Sequence, residues 1–268
     1  MKTALTIAGS DSSGGAGIQA DIKTMTANGV YAMSAITALT AQNTTGVYGI
    51  LEVTPEFLAN QLDCIFTDIR PDAVKTGMVS SSALIEVIAQ KLTQYKAKNL
   101  VIDPVMGDHG SMYPTYTEGM CQSMKKLVAY ADILTPNLTE ACILTDTPFH
   151  EGHWTMKELD VLARKLAEQG PEKIVITGIP QKAYVSNLIY EKGGDAKLLR
   201  TLRIGSERSG TGDVFSSIIA ADAVNQVPFE ASVRKASRFI KKCILRSIEM
   251  GLPKTDGVCF EEYLTTLK

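Results

Sequence analysis

Six residues, Arg208-Ser209-Gly210-Thr211-Gly212-Asp213, stand directly before the apolar run Val214 to Ala221, which reads as a buried helix. Glycines at a helix start let several backbone N–H groups converge on one point. The helix dipole makes that point attractive to an anion such as a phosphoryl oxygen. Asp213 then falls in the first helical turn. A carboxylate there adds nothing to anion binding, but it can accept a proton from a hydroxyl as that oxygen attacks phosphorus. The same residue also serves as a helix cap or dipole partner, and the motif alone leaves both uses open.

Two further clusters offer oxygen ligands. In Thr135-Pro136-Asn137-Leu138-Thr139-Glu140, Asn137 and Glu140 are three apart and share one face of a helix start, where they suit Mg²⁺ held through its waters. A proline turn with a capping residue accounts for the same spacing. Asp103 ends the strongly apolar Val101-Ile102 and is either a cation ligand or a structural loop carboxylate. Near the amino terminus, Gly9-Ser10-Asp11-Ser12-Ser13-Gly14-Gly15-Ala16-Gly17 leaves an apolar segment through small residues that let a flat ligand approach the backbone. Ala41-Gln42-Asn43-Thr44-Thr45 adds amides and hydroxyls able to read the edge of a heteroaromatic ring. The glycines match neither G-x-x-x-x-G-K-[ST] nor G-x-G-x-x-G, and G-x-S-x-G is absent. His109, His150 and His153 have no metal spacing, which disfavours zinc and hydrolase chemistry.

These groups need a scaffold. Short β-branched runs alternate with segments of helical period, which predicts an α/β fold with a mostly parallel central sheet and helices on both faces. The predicted strands are Ala4 to Ala8, Ser34 to Thr40, Ala73 to Thr76, Leu100 to Asp103, Ile133 to Thr135, Ile174 to Thr177 and Leu188 to Glu191. Ligands bind such sheets at the strands' carboxyl ends. Thr54-Pro55 opens one helix, and Thr155 with Glu158 forms a capping box for another that Gly170-Pro171 ends. Val233, Ala236, Ile240, Ile244 and Ile248 make one apolar stripe, with the neighbouring Arg and Lys residues on a solvated face. With no repeat or linker, a single domain over residues 1–268 is expected.

Composition excludes other classes. The chain has 268 residues, 27 Lys plus Arg against 29 Asp plus Glu, and so no basic field for nucleic acid or anionic membrane. No apolar run reaches the ~20 residues of a membrane span, and the first residues lack the apolar region of a signal peptide, so a cytoplasmic chain is expected. Five scattered cysteines without C-x-x-C fit free thiols rather than a disulfide framework. No apolar pattern in the sequence marks an oligomer interface.

Together these segments resemble the ribokinase-like superfamily, in its branch of vitamin kinases acting on hydroxymethyl groups of pyrimidine or pyridine rings. Leu5 to Asp21 and Ala41-Gln42-Asn43-Thr44 look like hydroxymethylpyrimidine/phosphomethylpyrimidine kinases. From about Met106 onward, Gly110 to Pro114, Thr135 to Glu140, Val175 to Gly178 and Gly210 to Asp213 look more like pyridoxal/pyridoxamine kinases. The pyrimidine kinases typically carry Cys where this chain has Asp213, and Lys near Thr177. The resemblance implies a pyrimidine pocket at Gly9, Asp21, Gln42 and Met78, and ATP at Asn137, Thr177, Gly210 and Gly212. It also implies Mg²⁺ organised by Asp103 and Glu140, Asp213 as base, and an anion hole from Gly210, Thr211 and Gly212. Its implied acceptor is 4-amino-5-hydroxymethyl-2-methylpyrimidine, with pyridoxal-type substrates as the alternative, and its implied assembly a homodimer. A ligand-binding protein that keeps the fold without turnover is the reading of another class.

Overall fold

The computed structural model describes residues 1–205 and 208–268. The chain runs β1 (Thr3–Ala8), α1 (Gly17–Ala27), β2 (Tyr31–Ile36), β3 (Ala38–Asn43), β4 (Gly46–Glu52), α2 (Pro55–Asp68), β5 (Ala73–Thr76), α3 (Ser82–Gln94) and β6 (Leu100–Ile102). The short hairpin β7 (Gly107–Asp108) and β8 (Ser111–Met112) follows, then α4 (Glu118–Val128), β9 (Ile133–Leu134), α5 (Leu138–Leu144) and α6 (Met156–Glu168). The chain closes with β10 (Lys173–Gln181), β11 (Tyr184–Glu191), β12 (Lys197–Leu202), α7 (Thr211–Val224), α8 (Phe229–Glu249) and two 3-10 turns.

Among the described residues, eight strands form one sheet in the order β12-β11-β10-β9-β6-β5-β1-β2. The pairs from β2 to β10 are parallel, and β11 and β12 add antiparallel at one edge. Burial on both faces follows from strand alternation. Leu100 and Ile102 enter the core shared with α2 to α6, while Val101 between them enters the core shared with α1, α7 and α8. Each such side chain contributes roughly 1.5–3 kcal/mol.

Local sequence explains the helix starts. The Thr54 hydroxyl accepts from the Phe57 N–H ahead of α2, and Thr155 and Glu158 close a reciprocal capping box on α6. In α8, Val233 and Ala236 are buried while Ile248 is 44 % exposed, so the apolar stripe is covered at its amino-terminal half. Its basic residues take acidic partners: Arg234 pairs with Glu230, Lys235 with buried Asp222 and Arg246 with Glu262.

Several expected boundaries shift. The strand expected from Ser34 to Thr40 is two strands in two sheets. The Thr37 N–H donates to the Ala8 carbonyl, and the chain then leaves the main sheet to build the β3–β4 ribbon. Strand β10 runs four residues beyond Thr177. Strands β4, β7, β8 and β12 were not expected. The ribbon also exposes an apolar surface that the sequence pattern did not reveal: Leu39 and Leu51 face each other across it, and Val47, Tyr48 and Ile50 are exposed too.

Candidate active site

Strand register fixes the base of the site. Thr6 on β1 pairs with Lys75 on β5. Because Leu5 and Ile7 face the opposite core, Thr6 and Lys75 point toward α1 and α7. There the Lys75 ammonium, fully buried, lies 2.6 Å from Asp21 of α1 and 3.0 Å from Asp213 of α7. Asp21 also accepts from the hydroxyls of Thr6 (2.5 Å) and Ser217 (2.7 Å). Burial alone pushes the ammonium toward its neutral form, and the charges of Asp21, Asp213 and Asp103 outweigh it and hold Lys75 protonated.

Asp213 is the member of this group that reaches solvent, its side chain 18 % exposed. One oxygen takes the Lys75 ammonium and the other takes the Gly17 N–H at 2.9 Å. Gly17 has φ +54°, and a Cβ there would lie 2.5 Å from the Gly9 carbonyl, so only glycine brings that N–H to the carboxylate. The loop from Asp11 to Ala16 is wound around one buried carboxylate, as Asp11 accepts from Ser13 N–H, Ser13 Oγ, Gly15 N–H and Ala16 N–H at 2.6–3.0 Å. Gly210, at φ +81°, begins α7 so close to this loop that a Cβ would overlap the Gly15 carbonyl. Gly210, Thr211 and Gly212 thus present the first turn of α7 beside Asp213. From behind, Arg208 donates to the carbonyls of Leu252, Pro253 and Gly257.

The other expected residues divide. Gly9 and Met78 are adjacent, the Gly9 N–H donating to the Met78 carbonyl at 3.1 Å. The Gln42 backbone is held to the loop that follows Gly9, its N–H and its carbonyl both bonded to the Ser12 hydroxyl. Asp21, expected in this pocket, is instead 0 % exposed and committed to Lys75, Thr6 and Ser217, which leaves no path to a ring. Asn137 and Glu140 form the capping box of α5. Asn137 also donates to the Gly107 carbonyl and keeps one amide hydrogen free, while Glu140 spends its second oxygen on the Met106 N–H. Both therefore work first as organisers of the loop after β6. Thr177 bridges to Asn137, and its hydroxyl is only 3.4 Å from the Pro136 carbonyl, a weak contact that leaves it available.

Asp103 accepts from Ser216 at 2.9 Å, and burial, reinforced by the charges of Asp213 and Asp21 against that of Lys75, pushes its carboxyl up to about 7. Burial and the charge of Asp103 likewise raise Glu140. Among the described residues no three His, Cys, Asp or Glu side chains stand close enough to hold a metal. Two mutually repelling carboxylates nevertheless fit Mg²⁺, which keeps most of its waters and takes phosphate oxygens for the rest.

Sequence reasoning passed over Lys75, Asp11 and Ser217. A lysine inside the otherwise apolar Ala73-Val74-Lys75-Thr76 was the available signal, because a central strand buries its side chains and a buried ammonium must be paired. A cavity of about 440 Å³ opens at the opposite edge of the sheet, lined by Asn99, Asp132, Lys173 and Phe229 among others. It carries no glycine loop, and its Asp132 carboxylate accepts from the Leu100 N–H.

Comparison with known proteins shows what the chain is similar to. The hydroxymethylpyrimidine/phosphomethylpyrimidine kinase of Bacillus subtilis is 34% identical over 253 residues, covering 92% of this chain and 91% of that protein. A thiamine biosynthesis bifunctional protein of Geobacter sulfurreducens is 38% identical over 248 residues, and the chain spans about half of its length, 50%. The ADP complex of Bacillus subtilis pyridoxal kinase superposes with a TM-score of 0.80 at 31% identity, covering 91% of each chain. A family model described as phosphomethylpyrimidine kinase matches residues 11–257, across both stretches that differ in resemblance, and the chain belongs to that family.

Proposed function

We propose that this protein transfers the terminal phosphoryl group of ATP to the hydroxymethyl group of 4-amino-5-hydroxymethyl-2-methylpyrimidine, and then to the monophosphate so formed, in thiamine biosynthesis. The observation that carries the reading is Asp213, a carboxylate held by two donors at the mouth of a glycine-built helix start. Its solvent-facing lone pairs accept the proton of the alcohol as the alcohol oxygen bonds to phosphorus. The bond from phosphorus to the bridging oxygen breaks, and its electron pair leaves with ADP. The N–H groups of Gly210, Thr211 and Gly212 take charge from the phosphoryl oxygens, aided by the dipole of a 14-residue helix. Gly9, Met78 and Gln42 hold the ring, and Asn137 and Thr177 meet the nucleotide. Bound near Asp103 and Glu140, Mg²⁺ supplies neutralisation of phosphate charge.

The test is turnover of ATP with hydroxymethylpyrimidine, its monophosphate, pyridoxal and pyridoxamine, compared by kcat/KM. A preference for the two pyrimidines is expected, and a preference for the pyridines assigns the protein to pyridoxal phosphate salvage instead. Asp213→Asn lowers kcat by ~10² or more with ATP binding retained. Absence of turnover with all four acceptors supports a binding protein.

The same proposal includes a homodimer formed through the β3–β4 ribbon, where Leu39, Leu51, Tyr48 and Val47 give an apolar surface beside the pyrimidine pocket. Sedimentation of a Leu39→Asp/Leu51→Asp variant as a monomer, against a dimeric parent, checks it. All five cysteines are free thiols, as in a reducing cytoplasm, and no described helix is long and apolar enough to cross a membrane.

A further inference from the structure

We propose that Lys75 is a positioning residue for phosphoryl transfer: anchored on Asp21, its buried ammonium fixes one oxygen of Asp213 and so aims the carboxylate at the acceptor hydroxyl. The inference rests on Asp213 being the base and extends the machinery to groups that never meet substrate. Three observations carry it. The ammonium is fully buried and bonds two carboxylates at once, one sealed and one facing the site. Its anchor is itself immobilised, since Asp21 takes Lys75 and Ser217 on one oxygen and Thr6 on the other. There is also no spare room around it: a methyl added at Gly77 would lie 3.3 Å from the Lys75 nitrogen, 3.7 Å from Asp213 Oδ1 and 3.0 Å from the Ala8 Cβ.

The consequence is geometric. An aspartate has two rotatable side-chain bonds, and a lone donor leaves its carboxylate free to swing. With Lys75 on Oδ1 and the Gly17 N–H on Oδ2, donors from β5 and from the glycine loop fix both the direction and the plane of the group. Misplacement of a reacting group by about 1 Å costs on the order of 10²-fold in rate. The groups facing Asp213 are Lys75 from β5, Asp21 from α1 and Asp103 beyond the end of β6, together with Tyr113 after the β7–β8 hairpin. Lys75 is the cation among them.

The experiment compares the parent with Lys75→Met/Asp21→Asn, which removes ammonium and anchor charge together so that neither is left buried without the other, and with Gly77→Ala, which displaces the ammonium without removing it. Asp213→Asn is measured beside them. The double variant is expected to fold by circular dichroism, to keep both KM values within about threefold, and to lose about 10²-fold in kcat. Gly77→Ala is expected to lose about tenfold in kcat at unchanged KM. A merely structural ion pair moves the melting temperature and leaves kcat per folded molecule alone. Parental kcat in the folded double variant, or in Gly77→Ala should the double variant not fold, overturns the inference while leaving the base intact. Parental turnover in Asp213→Asn overturns the base itself, and the positioning role with it.

Discussion

Gly210, where an added Cβ would overlap the loop at Gly15, sets the sharpest test of how the proposed anion hole is built. In Gly210→Ala the new Cβ overlaps the Gly15 carbonyl oxygen and lies 3.0 Å from its carbon, where ordinary contacts between carbons are about 3.5–4.0 Å. Two costs follow. A φ of +81° carries about 1–2 kcal/mol for a residue with a Cβ, and the overlap has to be relieved by movement. Gly15 cannot yield alone, because its N–H and that of Ala16 are both held by buried Asp11. The start of α7 moves instead, by something near 1 Å, and takes with it the N–H groups of Thr211 and Gly212 and the carboxylate of Asp213. A displacement of that size is expected to lower kcat by about 10²-fold. The strain, taken as ~2 kcal/mol, lowers Tm by roughly 4–8 °C. Steady-state kinetics at saturating ATP together with a thermal melt read both effects. A variant with parental kcat and parental Tm would falsify the packing of the two glycine loops as the source of the hole.

Three further outcomes are expected. Asp11→Ala removes the acceptor for three backbone N–H groups and a hydroxyl, so Tm falls by roughly 4–8 °C, the scale of ~2 kcal/mol, and kcat falls with it; a melt unchanged from the parent shows that the loop holds without it. Asp103 is raised from 3.8 to about 7, so the folded state binds a proton more readily than the unfolded chain, and that contribution to stability is present below pH 4 and lost as pH rises toward 7. Asp103→Asn, which can still accept from Ser216, therefore melts above the parent at pH 8, and the gap closes toward pH 4; equal melting at both pH values refutes the shift. Gln42→Ala raises KM for the pyrimidine by about tenfold, the scale of one or two lost hydrogen bonds, and leaves KM for ATP in place. Equal changes in the two constants remove Gln42 from the ring pocket.

The parallel core was legible because its strands bury both faces: Ala73 to Thr76 coincides with β5, and Ala4 to Ala8 falls short of β1 by one residue. Helix starts were legible at the side-chain caps Thr54 and Thr155, whereas the caps at Ser81 and Thr117 went unread. The break at Thr37 was not, since no glycine or proline marks it and the turn is made by tertiary bonds, the Thr37 N–H to Ala8 and its hydroxyl to Met78. Asp213 and its glycines could be singled out because they are contiguous in sequence. Asp21 was misplaced for the opposite reason. A resemblance carries a residue to its position along the chain and not to the side it faces, and its partners Lys75 and Ser217 lie 54 and 196 residues away.

Those distant partners give the site a charge pattern with one direction of demand. Four carboxyl groups, Asp21, Asp103, Asp213 and Glu140, influence one another across the carboxyl edge, and Lys75 is the ammonium buried among them. Asp21 consumes most of that ammonium, since it holds the shorter bond and is sealed with it. A polyphosphate approaching this edge meets the first turn of α7 as its favourable partner and carboxylates on the side of β6 and α5. Backbone N–H groups alone offer only about half a positive charge at a helix start. The remaining charge has to arrive with the nucleotide, and the side that needs it is where burial has already raised Asp103 and Glu140 toward their neutral forms. In the proposed reaction a divalent cation there relieves two repelling carboxylates and the phosphates at once, with the acidic pair on the nucleotide side and the Lys75 ammonium behind the base.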